Sequence, residues 1–227
     1  QPSADLNIQV ECKEVTPPPV SKGEIIKMDL DGTGNKQYRV LSINDKIAKV
    51  FGMSDISTLQ LWYEDGSAVN TTIGGYAVPK YQDSELDTYL NTTWYNTLSF
   101  EAKSAIVPQT IVQDAWVSTD LDITDDRVGT ETVGERNIYA LSVQDIVNYL
   151  NVSPSNITNV NICKMFWNTE TQQAGENFWL RSAGTEDGDY VYNVTTNGYI
   201  VLTNTANELG ARPAFTIDLS KISYTRE

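Results

Sequence analysis

Alternating apolar and polar positions open the chain. Leu6-Asn7-Ile8-Gln9-Val10 has the two-residue period of a half-buried strand. Thr16-Pro17-Pro18-Pro19 follows as a stiff, extended spacer, either a linker to an upstream domain or an arm lying on the main one. From Gly23, the run Glu24-Ile25-Ile26-Lys27-Met28, a turn-rich stretch from Asp29 to Asn35, and a return over Gln37 to Ile43 predict a hairpin. Lys46 to Phe51 predicts a third strand after an Asn44-Asp45 turn.

The period then changes to that of a helix. Leu86, Tyr89, Leu90 and Trp94 fall near i, i+3, i+4 over Ser84 to Asn96, with Asp83 or Ser84 as the cap. Ser99 to Val107 predicts a second short helix stopped by Pro108. Ile111 to Val117 reads as a strand, and Ser118 to Arg136 as an acidic, Thr-rich loop. Ser142 caps a third helix through Val143, Ile146, Val147 and Leu150, which ends near Pro154. Everything after Phe178 reads as strand and turn, with Asn197-Gly198 as a hairpin signal. The expected fold class is therefore α+β, with mixed antiparallel sheets and two to three helices in the middle of the chain. Residues 1–20 form an N-terminal strand and Pro-rich arm or linker. Residues 21–227 form one domain.

Composition removes several chemistries. The chain has 227 residues and no histidine, which takes away the commonest general base, the Ser-His and Cys-His pairs, and the commonest zinc ligand. Cys12 and Cys163 cannot make a four-ligand zinc site; they either form one disulfide or stay as two inert thiols. Net charge is -14, which repels phosphate backbones and argues against nucleic acid as a partner. No apolar run approaches the roughly 20 residues of a bilayer span, so no membrane insertion is expected. Gln1 is not a start methionine, so the chain reads as a mature product or an excised piece.

No cofactor and no metal site are expected. Asp29, Asp31, Gly32 and Gly34 invite a calcium loop, but the twelfth position is Val40 where a bidentate acid is needed. A Gly-rich hairpin tip fits better. Asp120, Asp122, Asp125 and Asp126 suit a hard cation or a solvated acidic loop, and the solvated loop is the simpler reading. The sequons at Asn70, Asn91, Asn151, Asn156 and Asn193 are those expected by chance in an Asn- and Thr-rich chain. No residue is assigned a catalytic role.

The candidate chemistry lies between Thr185 and Glu208, half of it Tyr, Asn and Thr. Tyr gives rigid contact area, and Asn, Ser and Gly give adaptable hydrogen bonding, as in antibody loops. Alternation assigns Val191, Val194, Ile200 and Val201 to packing. Tyr190, Tyr192, Thr195, Thr196, Tyr199, Thr203 and Thr205 are assigned to the exposed side, and Glu186 and Asp187 precede them. These nine residues are the expected ligand-binding set. Trp179, Leu180, Ala214 and Phe215 are expected in the core. Trp62 and Tyr63, near Gly66 and Gly74-Gly75-Tyr76, fall in an irregular loop; they either extend a binding surface by stacking on sugars or apolar groups or pack that loop, and packing is the simpler reading.

Several motifs, in order, resemble a poorly characterised bacterial and phage domain family with a C-type-lectin-like fold. Gly-Glu-Ile-Ile-Lys with Tyr38-Arg39-Val40-Leu41 looks like its first hairpin. Ser84 to Val107 is similar to its LxxYLNxxWYNxLSxEEKxAI helical pair, and Ile138 to Ser142 to its VFLLS strand. Phe178 to Ser182 and Gly210 to Phe215 look like its closing WLRS and GVRPAF motifs, with Phe178 and Ala211 as mild departures. The resemblance implies framework roles for Arg181 and Arg212.

The same closing layout resembles the variable proteins of diversity-generating retroelements, whose C-terminal segment is mutated at template adenines. It implies a non-enzymatic protein that binds a ligand or receptor through a hypervariable C-terminal surface. The ligand would be a protein or carbohydrate on a cell surface, and the location extracellular, on a cell or on a virion. A tip-displayed binder is compatible with an oligomer. Two other readings remain: a surface or virion structural module without its own ligand, and a carboxylate-based hydrolase. Formylglycine-generating enzymes share the lectin-like architecture, but nothing positions a base beside Cys12 or Cys163.

Overall fold

The computed structural model describes residues 19–56, 59–63, 68–119, 122–166, 176–186 and 188–227. The expected strand at Leu6 to Val10, most of the Pro-rich run, Cys12, Asp120 and Asp187 lie outside them.

The first sheet grows from the opening hairpins. Strands β1 (Ile25–Met28), β2 (Lys36–Asn44) and β3 (Ile47–Gly52) pair antiparallel in sequence order. Asp45 turns β2 into β3 with φ of 54°, a left-handed conformation that Asp tolerates. The β1–β2 tip uses its own carboxylates. Asp29 accepts from the Gly32 amide at 2.8 Å, and Asp31 takes the Lys36 ammonium at 2.6 Å. These are the contacts of a closed turn, which supports the hairpin-tip reading over the calcium loop. Two C-terminal strands complete the sheet: β13 (Ala214–Asp218) beside β3 and β14 (Thr225–Arg226) beside β1. The order is β13-β3-β2-β1-β14.

The second sheet carries the closing segment. Its strands are β7 (Gln109–Thr119), β8 (Asp122–Arg136), β9 (Phe178–Gly184), β10 (Tyr190–Val194) and β11 (Ile200–Asn204). The order is β11-β10-β9-β7-β8, antiparallel except for β7 and β9, which run parallel at Ala115–Ala183 and Trp116–Gly184. Two small ribbons flank the sheets: β4 (Gln60–Leu61) with β12 (Glu208–Leu209), and β5 (Asn70–Ile73) with β6 (Tyr76–Pro79).

Caps set the helices. Ser84 accepts from the Asp87 amide at 3.1 Å and starts a helical segment made of α1 (Glu85–Thr88), a π-helical stretch (Tyr89–Trp94) and α2 (Tyr95–Thr97). Asn91 explains the wider π turn. Its amide donates to the Ile138 carbonyl at 2.8 Å and its Oδ1 accepts from the Ile138 amide, so the helix opens toward a neighbouring chain segment. Ser99 caps α3 (Phe100–Ala105). Ser142 and Asp145 form a capping box on α4 (Val143–Leu150). A further helix, α5 (Asn159–Phe166), follows.

Aromatic contacts join helices to sheets. Phe166 of α5 meets Phe51 of β3 at 5.2 Å and Phe178 of β9 at 4.9 Å between ring centroids. Phe215 of β13 lies edge-on to Tyr38 of β2 and packs on Trp94. Each such fully buried ring contributes about 1.5–3 kcal/mol through area removed from water.

The architecture is α+β with several antiparallel sheets and short helices. Three local expectations change. Ser118 to Arg136 is no loop, because β8 occupies most of it and pairs with β7 from Gln109–Arg136 to Thr119–Asp122. Ile138 to Ser142 is no strand, since only the single bridge Tyr139–Ala214 forms there. Helix α5 had no counterpart in the sequence reading.

Candidate functional site

The closing motifs build a fixed frame. Between Ala183 and Trp179 the β9–β10 register gains extra residues on β9, a bulge that falls at Leu180 to Ser182. It turns Arg181 and Ser182 into the interior. Arg181 donates from Nε to the Val112 carbonyl at 2.7 Å, and from Nη1 to the Ala140 carbonyl and to Asp145 Oδ2, both at 2.6 Å. Lys49 reaches the other Asp145 oxygen at 2.6 Å. Burial alone would raise the Asp145 pKa, but the Arg181 and Lys49 charges outweigh it and hold the carboxyl well below the usual carboxylate range.

Ser182 completes this corner. Its hydroxyl donates to Asp114 Oδ1 and accepts from the Val143 amide at 2.7 Å. Asp114 Oδ2 in turn accepts from Trp116 Nε1 at 2.9 Å and from the Gln144 amide at 3.0 Å. Every group in the corner is used to tie α4, β7 and β9 together. Ser182 is fully buried, so its hydroxyl serves the frame and not the surface.

Arg212 plays the same part at the other closing motif. It is 1 % exposed, donates to Asp55 Oδ1 at 2.8 Å, and lies over the Phe178 ring at 4.3 Å. Burial raises the Asp55 pKa against the opposing pull of Arg212. Trp179, Leu180, Ala214 and Phe215 are core residues. Trp179 Nε1 donates to the Gln60 carbonyl at 2.7 Å, and Trp62 Nε1 donates to the Leu180 carbonyl at 3.1 Å. Trp62 and Tyr63 are buried, as their packing role requires.

Around this frame the expected ligand-binding residues separate. Tyr199 is 54 % exposed, and Glu186 and Thr196 are exposed. Tyr190, Thr195 and Thr203 are half-buried. The Thr195 hydroxyl accepts from the Tyr199 amide at 3.0 Å, and the Thr203 hydroxyl donates to Asn193 Oδ1 at 2.9 Å, so both already shape the hairpin. Tyr192 and Thr205 were assigned to the exposed side and are instead buried, at 1 % and 0 %. For Tyr192 the reason is that β10 is an interior strand covered on both faces, with Val191 through Val194 all buried. Thr205 follows β11 and lies under the Trp62-Tyr63 segment, whose two amides donate to its carbonyl oxygen. Alternation marks an exposed side only where one face is open to water.

The exposed candidates also sit at opposite ends. The 185–189 loop enters β10 at Tyr190, and the 195–199 turn leaves it after Val194. Four residue steps at about 3.4 Å each set these ends about 14 Å apart. Beside the turn, Asn177 Oδ1 accepts from the Thr196 amide at 2.9 Å, and the free thiol of Cys163 donates to the Asn197 carbonyl at 3.3 Å.

The loop end abuts the β5–β6 hairpin, with Gly74-Gly75-Tyr76 expected as part of an irregular loop and found instead as its turn. Gly188, at φ of 70°, is so close to the β5–β6 hairpin that an added methyl would lie 2.8 Å from Asn70 Nδ2. The Gly74-Gly75 turn of that hairpin rests on β8, where a methyl at Gly74 would meet the Val128 carbonyl oxygen at 2.5 Å. A Gly-Gly turn between short Thr- and Val-bearing runs was the available signal.

Among the described residues no group of acidic, histidine or cysteine side chains is placed to hold a metal, and Asp126 stands exposed on β8. No helix among them is long and apolar enough to cross a membrane. Asn193 is buried, and the Asn91 amide is engaged with backbone, so neither presents a glycan acceptor in the folded chain.

Residues 39–219 match a family described as Domain of unknown function (DUF6273), and the chain belongs to it. No curated protein and no solved structure matches the chain. The match covers the second sheet, the frame of Arg181 and Arg212 and both ends of β10. Neither a C-type-lectin-like fold nor a retroelement is part of it.

Proposed function

We propose that this chain is a non-enzymatic binding protein that displays a ligand-recognition surface on a C-type-lectin-like scaffold. The observation that carries this reading is the division of labour within residues 178–219. Arg181, Ser182 and Arg212 face inward and lock the frame through side-chain hydrogen bonds. Glu186, Thr196 and Tyr199 stand exposed beyond the two ends of β10. A rigid scaffold with Tyr, Thr and Asn on its loops tolerates exchange of the outer residues without loss of fold, which is what a diversified recognition segment requires. The lectin-like assignment rests on the motifs that carry the resemblance.

The reading places the protein at a cell or virion surface with a protein or carbohydrate ligand. The test is a glycan-array and whole-cell binding screen with the wild-type chain and a Tyr190→Ala/Tyr199→Ala variant. Binding that falls at least about tenfold, or about 1.4 kcal/mol, in the variant supports it. Binding equal in both sinks it. A reverse transcriptase gene near the coding region, with a near-copy of the segment for Phe178 to Phe215, would establish the diversification part.

A further inference from the structure

Asn197-Gly198 is the only Asn-Gly pair in the chain, and it sits at the tip of the β10–β11 hairpin. Asn197 is exposed, while Gly198 is buried at a left-handed φ of 79°. An asparagine followed by glycine is the pair best suited to succinimide chemistry. The nitrogen of the next residue lies one five-membered ring closure from the asparagine Cγ. Glycine has no Cβ to shield that nitrogen or to restrict the backbone around it.

The folded turn occupies the groups that this chemistry needs. The Gly198 amide donates to the Thr195 carbonyl at 2.9 Å, so its proton is held and its nitrogen is aimed away from Asn197 Cγ. The Asn197 carbonyl, in the same peptide unit, accepts from the Cys163 thiol at 3.3 Å. Around this unit the Thr195 amide donates to the Tyr199 carbonyl at 2.8 Å, and the Tyr199 amide to the Thr195 hydroxyl at 3.0 Å. The Thr196 amide donates to Asn177 Oδ1 at 2.9 Å. Ring closure therefore requires the turn to open first.

We propose that Asn197 is a site of spontaneous deamidation gated by local opening of this turn. In the open form the Gly198 nitrogen attacks Asn197 Cγ and the new C–N bond closes a succinimide. The side-chain nitrogen leaves as ammonia, taking up the Gly198 amide proton. Water, the one co-reactant, then opens the ring at either carbonyl and leaves aspartate or isoaspartate at position 197. Both products add a negative charge to the tip. Isoaspartate also lengthens the main chain by one methylene between Thr196 and Gly198, which breaks the Thr195–Tyr199 pairing and re-aims Tyr199, a side chain 54 % exposed. The buried frame of Arg181 and Arg212 is untouched. The modification stands independently of the binding reading; where that reading holds, one end of the recognition surface changes with the age of the molecule.

The test is prolonged incubation of the full chain at mildly alkaline pH, folded and in urea, with fragmentation mass spectrometry locating amide-to-acid conversion at Asn197. The variants are Thr195→Val, which removes the acceptor of the Tyr199 amide, Asn177→Ala, which removes that of the Thr196 amide, and Thr225→Val on β14 as a control. Thermal melts taken alongside establish that each variant is folded during incubation. Conversion at Asn197 should be at least about tenfold slower in the folded wild type than in urea, because only the open fraction reacts. Folded Thr195→Val and Asn177→Ala should convert about threefold faster than wild type or more, and Thr225→Val within about twofold of it. Equal rates for the folded and unfolded wild type would overturn the proposal, since the turn would then gate nothing. So would unchanged rates in both turn variants, an equal acceleration in Thr225→Val, or conversion in urea that falls on other asparagines and spares Asn197.

Discussion

Arg181 meets Asp145 at 2.6 Å while the same guanidinium grips the carbonyl oxygens of Val112 and Ala140. One side chain thus joins β9 to β7, to the segment before α4, and to the cap of α4 itself.

Acid sensitivity follows from this contact. The folded Asp145 carboxyl is held below its ordinary value, so its stabilisation is fully present above the unfolded pKa of about 3.9. It is lost as pH falls through the lowered folded value. Urea unfolding between about pH 5 and pH 2 should show stability dropping toward acid, and Asp145→Asn should flatten that limb. Asp145→Ala leaves Arg181 buried without its carboxylate and should cost about 3–5 kcal/mol at neutral pH.

Ser182→Ala removes one hydroxyl and strands two groups, the Val143 amide and Asp114 Oδ1. A cost of about 1–3 kcal/mol is expected, read as a lower melting temperature. Ligand binding by the surviving folded fraction should be unchanged, because Ser182 is not exposed.

The two tyrosines Tyr192 and Tyr199 should behave oppositely. Tyr192→Ala empties a core position and should cost about 3–5 kcal/mol, as large aromatic truncations do. Tyr199→Ala should leave stability within about 0.5 kcal/mol, since its side chain stands largely in solvent. Chemical denaturation of both variants checks the pair.

Gly74 combines a positive φ of 60° with a backbone neighbour, the Val128 carbonyl, that cannot swing away. Gly74→Ala should cost about 1–3 kcal/mol. Hydrogen exchange should rise first in β5 and β6, because those strands hang on that contact. Gly75→Ala, with open space around it but a φ of 90°, should cost less.

The sequence made the caps legible, because Ser84, Ser99 and Ser142 each act within three residues of themselves. It made the hairpins around Asn44-Asp45 and Asn197-Gly198 legible for the same local reason. Strand β8 stayed hidden because its Thr, Asp and Glu side chains resemble a loop, and only pairing with β7 reveals its backbone. The burial of Tyr192 and Thr205 was equally out of reach. For Tyr192 it depends on neighbours from β6, β9 and β11, and for Thr205 on the Trp62-Tyr63 segment, and a local pattern carries no record of which strand ends up in the middle. Gly74-Gly75-Tyr76 read as an irregular loop and not as a hairpin turn, and the approach of that hairpin to Gly188 exists only in three dimensions.

Strands β13 and β14 stand beside β3 and β1, so the first sheet opens with residues near the start of the domain and is closed on both sides by residues 214–226. During synthesis β1, β2 and β3 must therefore wait, two of their edges unsatisfied, until residues 214–226 have left the ribosome. A nascent chain cut short anywhere before Ala214 would lack both closing strands and the Phe215 ring against Tyr38. Only molecules translated through residues 185–208 and on to Arg226 can acquire the finished sheet.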